Sequence, residues 1–494
     1  MTARALTSAL LALAALAAPG AARADDVVSI PTKFPVENVN RSAVACMSDG
    51  KPYELHGEIV GPRSVLLGGA KATATLYLHE FSFDDFWHFR SAPGVDYATE
   101  MARAGHVSVA LDRLGYDDSP RPPGNDTCLG AQADMASQIV TELRSGTYRP
   151  AEGAPRKFDR VVLAGHSVGG EVAQAVAYSF GGIDGLMLFG VVDQGFEPAA
   201  TQLAVEQGTV CARGGEESEP GGPGGYAFFS QRIEDFNHFS FFDTDPRVVA
   251  AQDALRHRDP CGDVNSNVPN IAADNAHVGE IKVPVLLLYG LNDPVMTSDG
   301  QHQQSQMYTG SGDVRTAYFD RTAHGMVLER SAPQIRGTVS RWLGERGFGS
   351  ETPAASAPRG CPLRASTLVG SSHSDRLDGS AAADSLFGLG GNDRLSGRVG
   401  GDCMRGGAGA DLLLGAQGAD RLYGDSGPDR LSGGTGADRL DGGSGRDRLR
   451  GGAGDDRLHA RDGAADLVDC GPGSGDRAVV DRRDTVRGCE HVSR

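Results

Sequence analysis

The chain has 494 residues, of which 39% are hydrophobic and 22% charged, and it carries a formal charge of −17. That length allows two to four domains at about 100–200 residues each, and the balance excludes a disordered polyampholyte and argues against a nucleic-acid partner. Glycine supplies 69 residues, about twice its usual share, so one region is built on turns.

In chain order, Met1 to Ala24 reads as a secretory signal peptide. Arg4 gives the positive start, Ala5 to Ala18 the apolar run, and Ala22-Arg23-Ala24 the small-x-small cleavage site. No other apolar run approaches the thickness of a bilayer, so no transmembrane segment is expected after cleavage and the expected localisation is secreted. Export permits disulfides. All eight cysteines (Cys46, Cys128, Cys211, Cys261, Cys361, Cys403, Cys470, Cys489) follow the cleavage site. Sequence leaves their pairing open, although locality favours Cys470–Cys489, Cys211–Cys261 and Cys46–Cys128.

From residue 74 onward, apolar runs alternate with amphipathic ones. Ala74 to Leu78 predicts a strand followed by His79-Glu80-Phe81, and His106 to Leu111 predicts another, followed by Asp112-Arg113-Leu114-Gly115-Tyr116-Asp117-Asp118-Ser119. Val161 to Ala164 predicts a buried strand, Gly165-His166-Ser167-Val168-Gly169 a sharp turn, and Glu171 to Phe180 a helix stopped by Gly181. A strand over Leu186 to Val192 runs into Asp193. Val283 to Gly290 is a strand running into Asn292-Asp293-Pro294. Val314 to Phe319 is a strand before Thr322-Ala323-His324. The long interruption from Gln194 to Lys282 has the length of a cap and carries Phe228, Phe229, Phe236, Phe239, Phe241 and Phe242, which suit either an acyl pocket or the cap's own core.

Strand, Gly-x-Ser-x-Gly and helix together resemble the nucleophile elbow of α/β-hydrolases, and the resemblance covers roughly residues 50–345. It implies a catalytic triad of Ser167, Asp293 and His324, with Asp193 as the rival acid. It also implies an oxyanion hole from the backbone N–H of Val168 and of Glu80 or Phe81. Glu80 stands where the family has Gly, and its carboxylate must point away from a developing anion. His166, the chain neighbour of Ser167, reads as a packing residue, and the Asp112–Asp117 loop as architecture. The implied chemistry is serine acyl transfer with no cofactor for catalysis, and the substrate is a small-molecule or lipid-like ester.

Residues 349–367 read as a linker, after which a strict nine-residue period begins. Asp recurs at 375, 384, 393, 402, 411, 420, 429, 438, 447 and 456, each followed two residues later by Leu or, once, Met404. Gly precedes most of these Asp by two and by five. The pattern resembles the haemolysin-type nonapeptide repeats of RTX proteins, an all-β parallel β-roll that binds calcium. One large apolar residue per repeat fills a narrow core, and carboxylates with turn carbonyls offer the oxygen-only ligands that Ca²⁺ takes. The resemblance assigns structural Ca²⁺ to Asp393, Asp402, Asp411, Asp420, Asp429, Asp438, Asp447 and Asp456. Between 371 and 458, 14 Asp face 11 Arg, so a calcium-independent solenoid of Asp–Arg pairs is the competing reading.

The expected fold class is therefore α/β: an α/β-hydrolase fold over 25–348 with a cap at about 194–282, the linker, an RTX-like roll over 368–470 and a disulfide-closed segment over 471–494. The expected function is a secreted serine hydrolase of carboxylic esters. A serine aminopeptidase of the same fold, and a calcium-dependent surface or adhesion protein with an idle hydrolase domain, are the alternatives.

Overall fold

The computed structural model describes residues 27–68, 71–82, 86–90, 95–349, 361–364 and 366–494. The signal peptide and most of the linker lie outside the described residues. Twelve strands precede the regular repeats: β1 (Val27–Glu37), β2 (Pro52–Pro62), β3 (Thr73–Leu78), β4 (Val107–Leu111), β5 (Arg149–Pro150), β6 (Arg160–His166), β7 (Gly185–Phe189), β8 (Tyr226–Ala227), β9 (Asp259–Pro260), β10 (Val285–Gly290), β11 (Val314–Phe319) and β12 (Ser366–Val369).

Their pairing gives the order β5-β1-β2-β4-β3-β6-β7-β10-β11-β12, antiparallel as far as β4 and parallel from there on. The parallel strands are buried on both faces, which is why they read as unbroken apolar runs; Val161, Leu163, Leu186, Leu188, Val285 and Leu287 are fully buried. Helices Leu129–Ser145 and Val168–Ser179 pack on one side, against a core that includes Leu76, Val172 and Leu287. Helix Ala332–Glu345 lies on the other, where Trp342 joins Val162 and Leu286. This is the doubly covered sheet expected of an α/β-hydrolase domain.

Between β7 and β10 the chain leaves the sheet and builds helices Pro198–Ala212, Ile233–Ser240, Pro246–Leu255 and Cys261–His277 with the two-stranded ribbon β8–β9. Phe236 and Phe239 are buried in the two main cores, Phe228 lies beneath the Arg256 and Arg258 guanidinium groups, and Phe242 is exposed. The cap is locked down by a buried ion pair at 3.0 Å between Arg113 of the loop after β4 and Asp263. The Asp112–Asp117 loop thus has the architectural role read from sequence.

From Arg376–Asp378 onward, short parallel strands alternate between two sheets, so each coil of the roll spans two nonapeptides and partners lie 18 residues apart: Leu395 opposite Leu413, Met404 opposite Leu422. Leu377, Leu386, Leu395, Met404, Leu413, Leu422, Leu431, Leu440, Leu449 and Leu458 form one core, none more than 2% exposed. The four disulfides are Cys46–Cys128, Cys211–Cys261, Cys361–Cys403 and Cys470–Cys489.

The boundary between the two regions differs from the sequence reading. The end of the expected linker is strand β12, which pairs with β11 on one side and with Asp384–Gly390 of the roll on the other. One face of the roll therefore continues the hydrolase sheet, giving 17 strands in all. The physical reason is the edge of β11, whose row of unpaired amides and carbonyls needs a partner. Among the described residues no helix is long and apolar enough to cross a membrane.

Candidate active site

Ser167 sits between β6 and helix Val168–Ser179 at φ 49° and ψ −124°, a strained position for a residue with a side chain. Its N–H donates to Phe189 O at 2.9 Å, so the neighbouring strand helps hold the turn. The elbow's glycines are there for close approach. A Cβ on Gly165 would lie 2.2 Å from Gly169 O, and one on Gly169 would lie 2.3 Å from His79 O and 2.5 Å from Leu78 O. The end of β3 thus passes directly over the start of the helix. Val168 is the first helical residue, so its N–H belongs to the first turn, which helix geometry leaves unpaired.

Asp293 and His324 follow β10 and β11, whose ends are pressed together: a Cβ on Gly290 would lie 2.2 Å from Thr322 O. Asp293 Oδ2 accepts from His324 Nδ1 at 2.8 Å, and Oδ1 accepts the Val295 N–H at 2.8 Å. Burial opposes the imidazolium of His324, but Asp293 and then Glu80 outweigh it and hold its pKa up at about 9. The rival acid Asp193 lies elsewhere, accepting from Gln174 at 3.1 Å and Gln304 at 2.7 Å, with burial pushing its carboxyl upward. The loop carrying His324 is fixed by a residue the sequence did not single out: buried Glu329 accepts the N–H of Ala323 at 2.9 Å and of Phe242 at 2.5 Å, tying the loop to the cap.

Glu80 and His166 both do more than the sequence suggested. The Glu80 side chain is turned onto His324, with Oε2 3.4 Å from His324 Nε2 and Oε1 3.1 Å from His166 Nδ1. His166 stacks on Phe86 at 4.7 Å between centroids and donates from Nε2 to His324 O at 2.7 Å. Apart from the anomaly of Glu in place of Gly, nothing in the chain signals this cluster, because its members lie at the end of β6 and in the loops after β3 and β11. Ser82, two residues beyond Glu80, is held from the cap, its N–H donating to Asp259 Oδ1 at 2.7 Å and its hydroxyl to Oδ2 at 3.0 Å. Of the cap's Glu216, Glu217 and Glu219, the acidic residues that would meet a free amine in the peptidase reading, Glu216 pairs with Arg258 at 2.7 Å, Glu219 pairs with Arg121 at 2.9 Å, and Glu217 accepts the Gly221 N–H at 2.9 Å.

In the roll, the periodic Asp residues form two ladders. The N–H of each donates to Oδ1 of the Asp one coil on, as in Asp393 to Asp411 to Asp429 to Asp447 and Asp402 to Asp420 to Asp438 to Asp456, at 2.7 to 2.9 Å. Oδ2 of all eight residues assigned to calcium is buried without a hydrogen-bond partner. The glycine five residues earlier makes room for it: a Cβ on Gly406 would lie 2.3 Å from Asp411 Oδ2. Buried, orphaned carboxylate oxygens are what a hard cation would satisfy, so the residues fit Ca²⁺. The Arg of the Asp-Arg-Leu steps points outward, exposed at 394, 421, 430, 439, 448 and 457, which disfavours the Asp–Arg solenoid. The ladders also run on past the strict repeat, through Asp466 and Asp484 on one and Asp476 and Glu490 on the other. Short insertions break the nine-residue count there and hid them from a periodicity argument.

Residues 94–331 match the family model described as serine aminopeptidase, S33. Residues 369–402, 400–431 and 432–465 match the RTX calcium-binding nonapeptide repeat. A search of curated proteins finds no match. Among solved structures, a thermophilic esterase from Thermogutta terrifontis is 17% identical, covering 63% of this chain and 99% of that one, with a TM-score of 0.45. A soluble variant of monoglyceride lipase from Saccharomyces cerevisiae is 13% identical, covering 64% and 96%, with a TM-score of 0.45. A thermostable carboxyl esterase from Bacillus coagulans is 16% identical, covering 63% and 98%, with a TM-score of 0.44. The chain thus carries an α/β-hydrolase domain followed by calcium-binding RTX repeats.

Proposed function

We propose that this chain is an exported serine hydrolase that cleaves carboxylic esters by way of an acyl-enzyme and is carried on a calcium-binding roll. In this reading residues 25–348 form the catalytic unit, with the cap at about 194–282, and 368–470 the roll. His324 Nε2 takes the Ser167 proton as Oγ attacks the carbonyl carbon. The N–H groups of Val168 and of Glu80 or Phe81 hold the oxyanion. Asp293 orients the imidazole and stabilises its charged form. His324 then returns the proton to the leaving alcohol, and water activated by the same imidazole clears the acyl group. Ca²⁺, held by the Asp ladders and turn carbonyls, supplies folding energy to the roll and takes no part in the chemistry.

The observation that carries this reading is the 2.8 Å Asp293–His324 contact at adjacent strand ends, in chain order after a strained Ser167. Export is supported by the N-terminal motif and four disulfides. A fluorophosphonate probe tests the serine: wild type is labelled and Ser167→Ala is not. An unlabelled wild type, with and without Ca²⁺, would leave the surface-protein reading. The family model matched by residues 94–331 keeps the peptidase reading in view. Turnover of aminoacyl amides in preference to acyl esters would decide for it, while the pairing of Glu216 and Glu219 with arginines speaks for esters.

A further inference from the structure

We propose that Glu80, His166 and His324 form a site for a divalent transition-metal ion of the Zn²⁺ class, and that its occupation silences the serine centre. The argument begins with protons. His324 O, a carbonyl, can only accept, so His166 Nε2 at 2.7 Å carries a hydrogen and Nδ1 of the neutral ring holds a lone pair. Asp293 likewise takes the Nδ1 hydrogen of His324, so in the neutral ring the lone pair lies on Nε2. Both lone pairs face one carboxylate, at 3.1 Å and 3.4 Å. Three acceptor groups, between 0% and 6% exposed, converge on one point, and Glu80 Oε1 and His166 Nδ1 have no hydrogen-bond partner. Such a cluster needs a cation in its midst, either a proton or a metal.

The geometry points to a metal. The three ligand atoms lie within 4.8 Å of one another. Zinc with ligands at about 2.0–2.2 Å holds them a little over 3 Å apart in a tetrahedron, so small side-chain movements close the site. Each imidazole is already oriented through its other nitrogen, one by a backbone carbonyl and one by a carboxylate, which is the support that metal-bound histidines need. The stack of His166 on Phe86 fixes the ring further. Two nitrogens and one carboxylate suit zinc and exclude the hard cations that the roll takes. The Nε2 lone pair that would coordinate the ion is the one that would accept the Ser167 proton, so a loaded site has no free base. This second half rests on the serine-hydrolase reading, whereas the metal site itself does not.

The test uses the full-length protein saturated with Ca²⁺ at about pH 9.5, above the range in which Asp293 and Glu80 hold His324 protonated. Zn²⁺ is delivered from a metal buffer while ester turnover is followed, and Co²⁺ reports geometry through its visible bands. Expected are one-to-one inhibition, reversal by a zinc-selective chelator, and the strong bands of four-coordinate Co²⁺ in both wild type and Ser167→Ala. Glu80→Gln should raise the half-inhibitory Zn²⁺ concentration by at least about 100-fold, since even loss of a supporting group costs 10–100-fold. His166→Phe, which keeps the stack on Phe86, gives the same test if Glu80→Gln does not fold. Absence of four-coordinate Co²⁺ bands, or equal Zn²⁺ sensitivity of wild type and a folded variant, overturns the site and leaves a proton in the cluster. Ser167→Ala with the Co²⁺ bands but undiminished turnover overturns the serine reading and leaves the metal site standing.

Discussion

Replacing Gly169 by alanine tests the contact on which the proposed oxyanion hole depends. The new Cβ would sit 2.3 Å from His79 O and 2.5 Å from Leu78 O, both backbone atoms that cannot rotate away. To reach even the 3.0 Å floor, the end of β3 must retreat by about 0.7 Å, and about 1 Å restores ordinary contact. That retreat moves Glu80 and Phe81, the proposed second oxyanion donors, off the start of the helix that Ser167 precedes. Misplacement of about 1 Å at a reacting centre costs roughly 100-fold, so kcat/KM for an aryl ester should fall by about that factor. Overpacking adds about 1–3 kcal/mol of destabilisation, read as a lowered thermal midpoint. Gly208→Ala is the control: it lies inside helix Pro198–Ala212 with nothing within 4 Å of its would-be Cβ. It should leave turnover intact and add about 0.5–1 kcal/mol of stability. Gly169→Ala with turnover within a few-fold of wild type would refute the argument that this close approach positions the hole.

Four further outcomes are expected. Asp293→Asn should lower kcat by about 10⁴, the scale on which loss of a triad carboxylate acts. In wild type, measured in zinc-free buffer with Ca²⁺, kcat/KM should rise with pH through about 9, because Asp293 and Glu80 hold His324 protonated below that; a limb near 6.5 contradicts this. In the metal-free roll, burial reinforced by neighbouring carboxylates pushes Asp393 and Asp402 up to about 7 and Asp429 to about 8. The folded state then binds more protons than the unfolded one, so stability without Ca²⁺ should fall as pH rises from about 4 through about 8, and saturating Ca²⁺ should abolish the decline, as circular dichroism would show. Leu422→Ala, fully buried between Met404 and Leu440, should cost the roll about 2–5 kcal/mol in calcium while ester turnover stays unchanged.

The sequence determined by itself whatever depends on local chain geometry. Buried parallel strands read as apolar runs, the elbow as glycines around a serine, and the roll as a nine-residue count, since each coil repeats the same contacts. Asp293 and His324 were legible because a strand end fixes where the following residue lies. The insertions that shift Asp466 and Asp476 out of step defeated the same count, although the ladder continues through them. Tertiary structure decided everything that depends on which way a side chain turns once strands are laid together. Glu80, His166 and His324 stand at or beyond the ends of three different strands and meet over a distance no spacing encodes. The Asp293–His324 hydrogen bond exists only because β10 and β11 lie edge to edge. The pairing of β12 with β11, which joins roll and hydrolase in one sheet, arises from an unsatisfied strand edge, and an edge exists only after the sheet has formed.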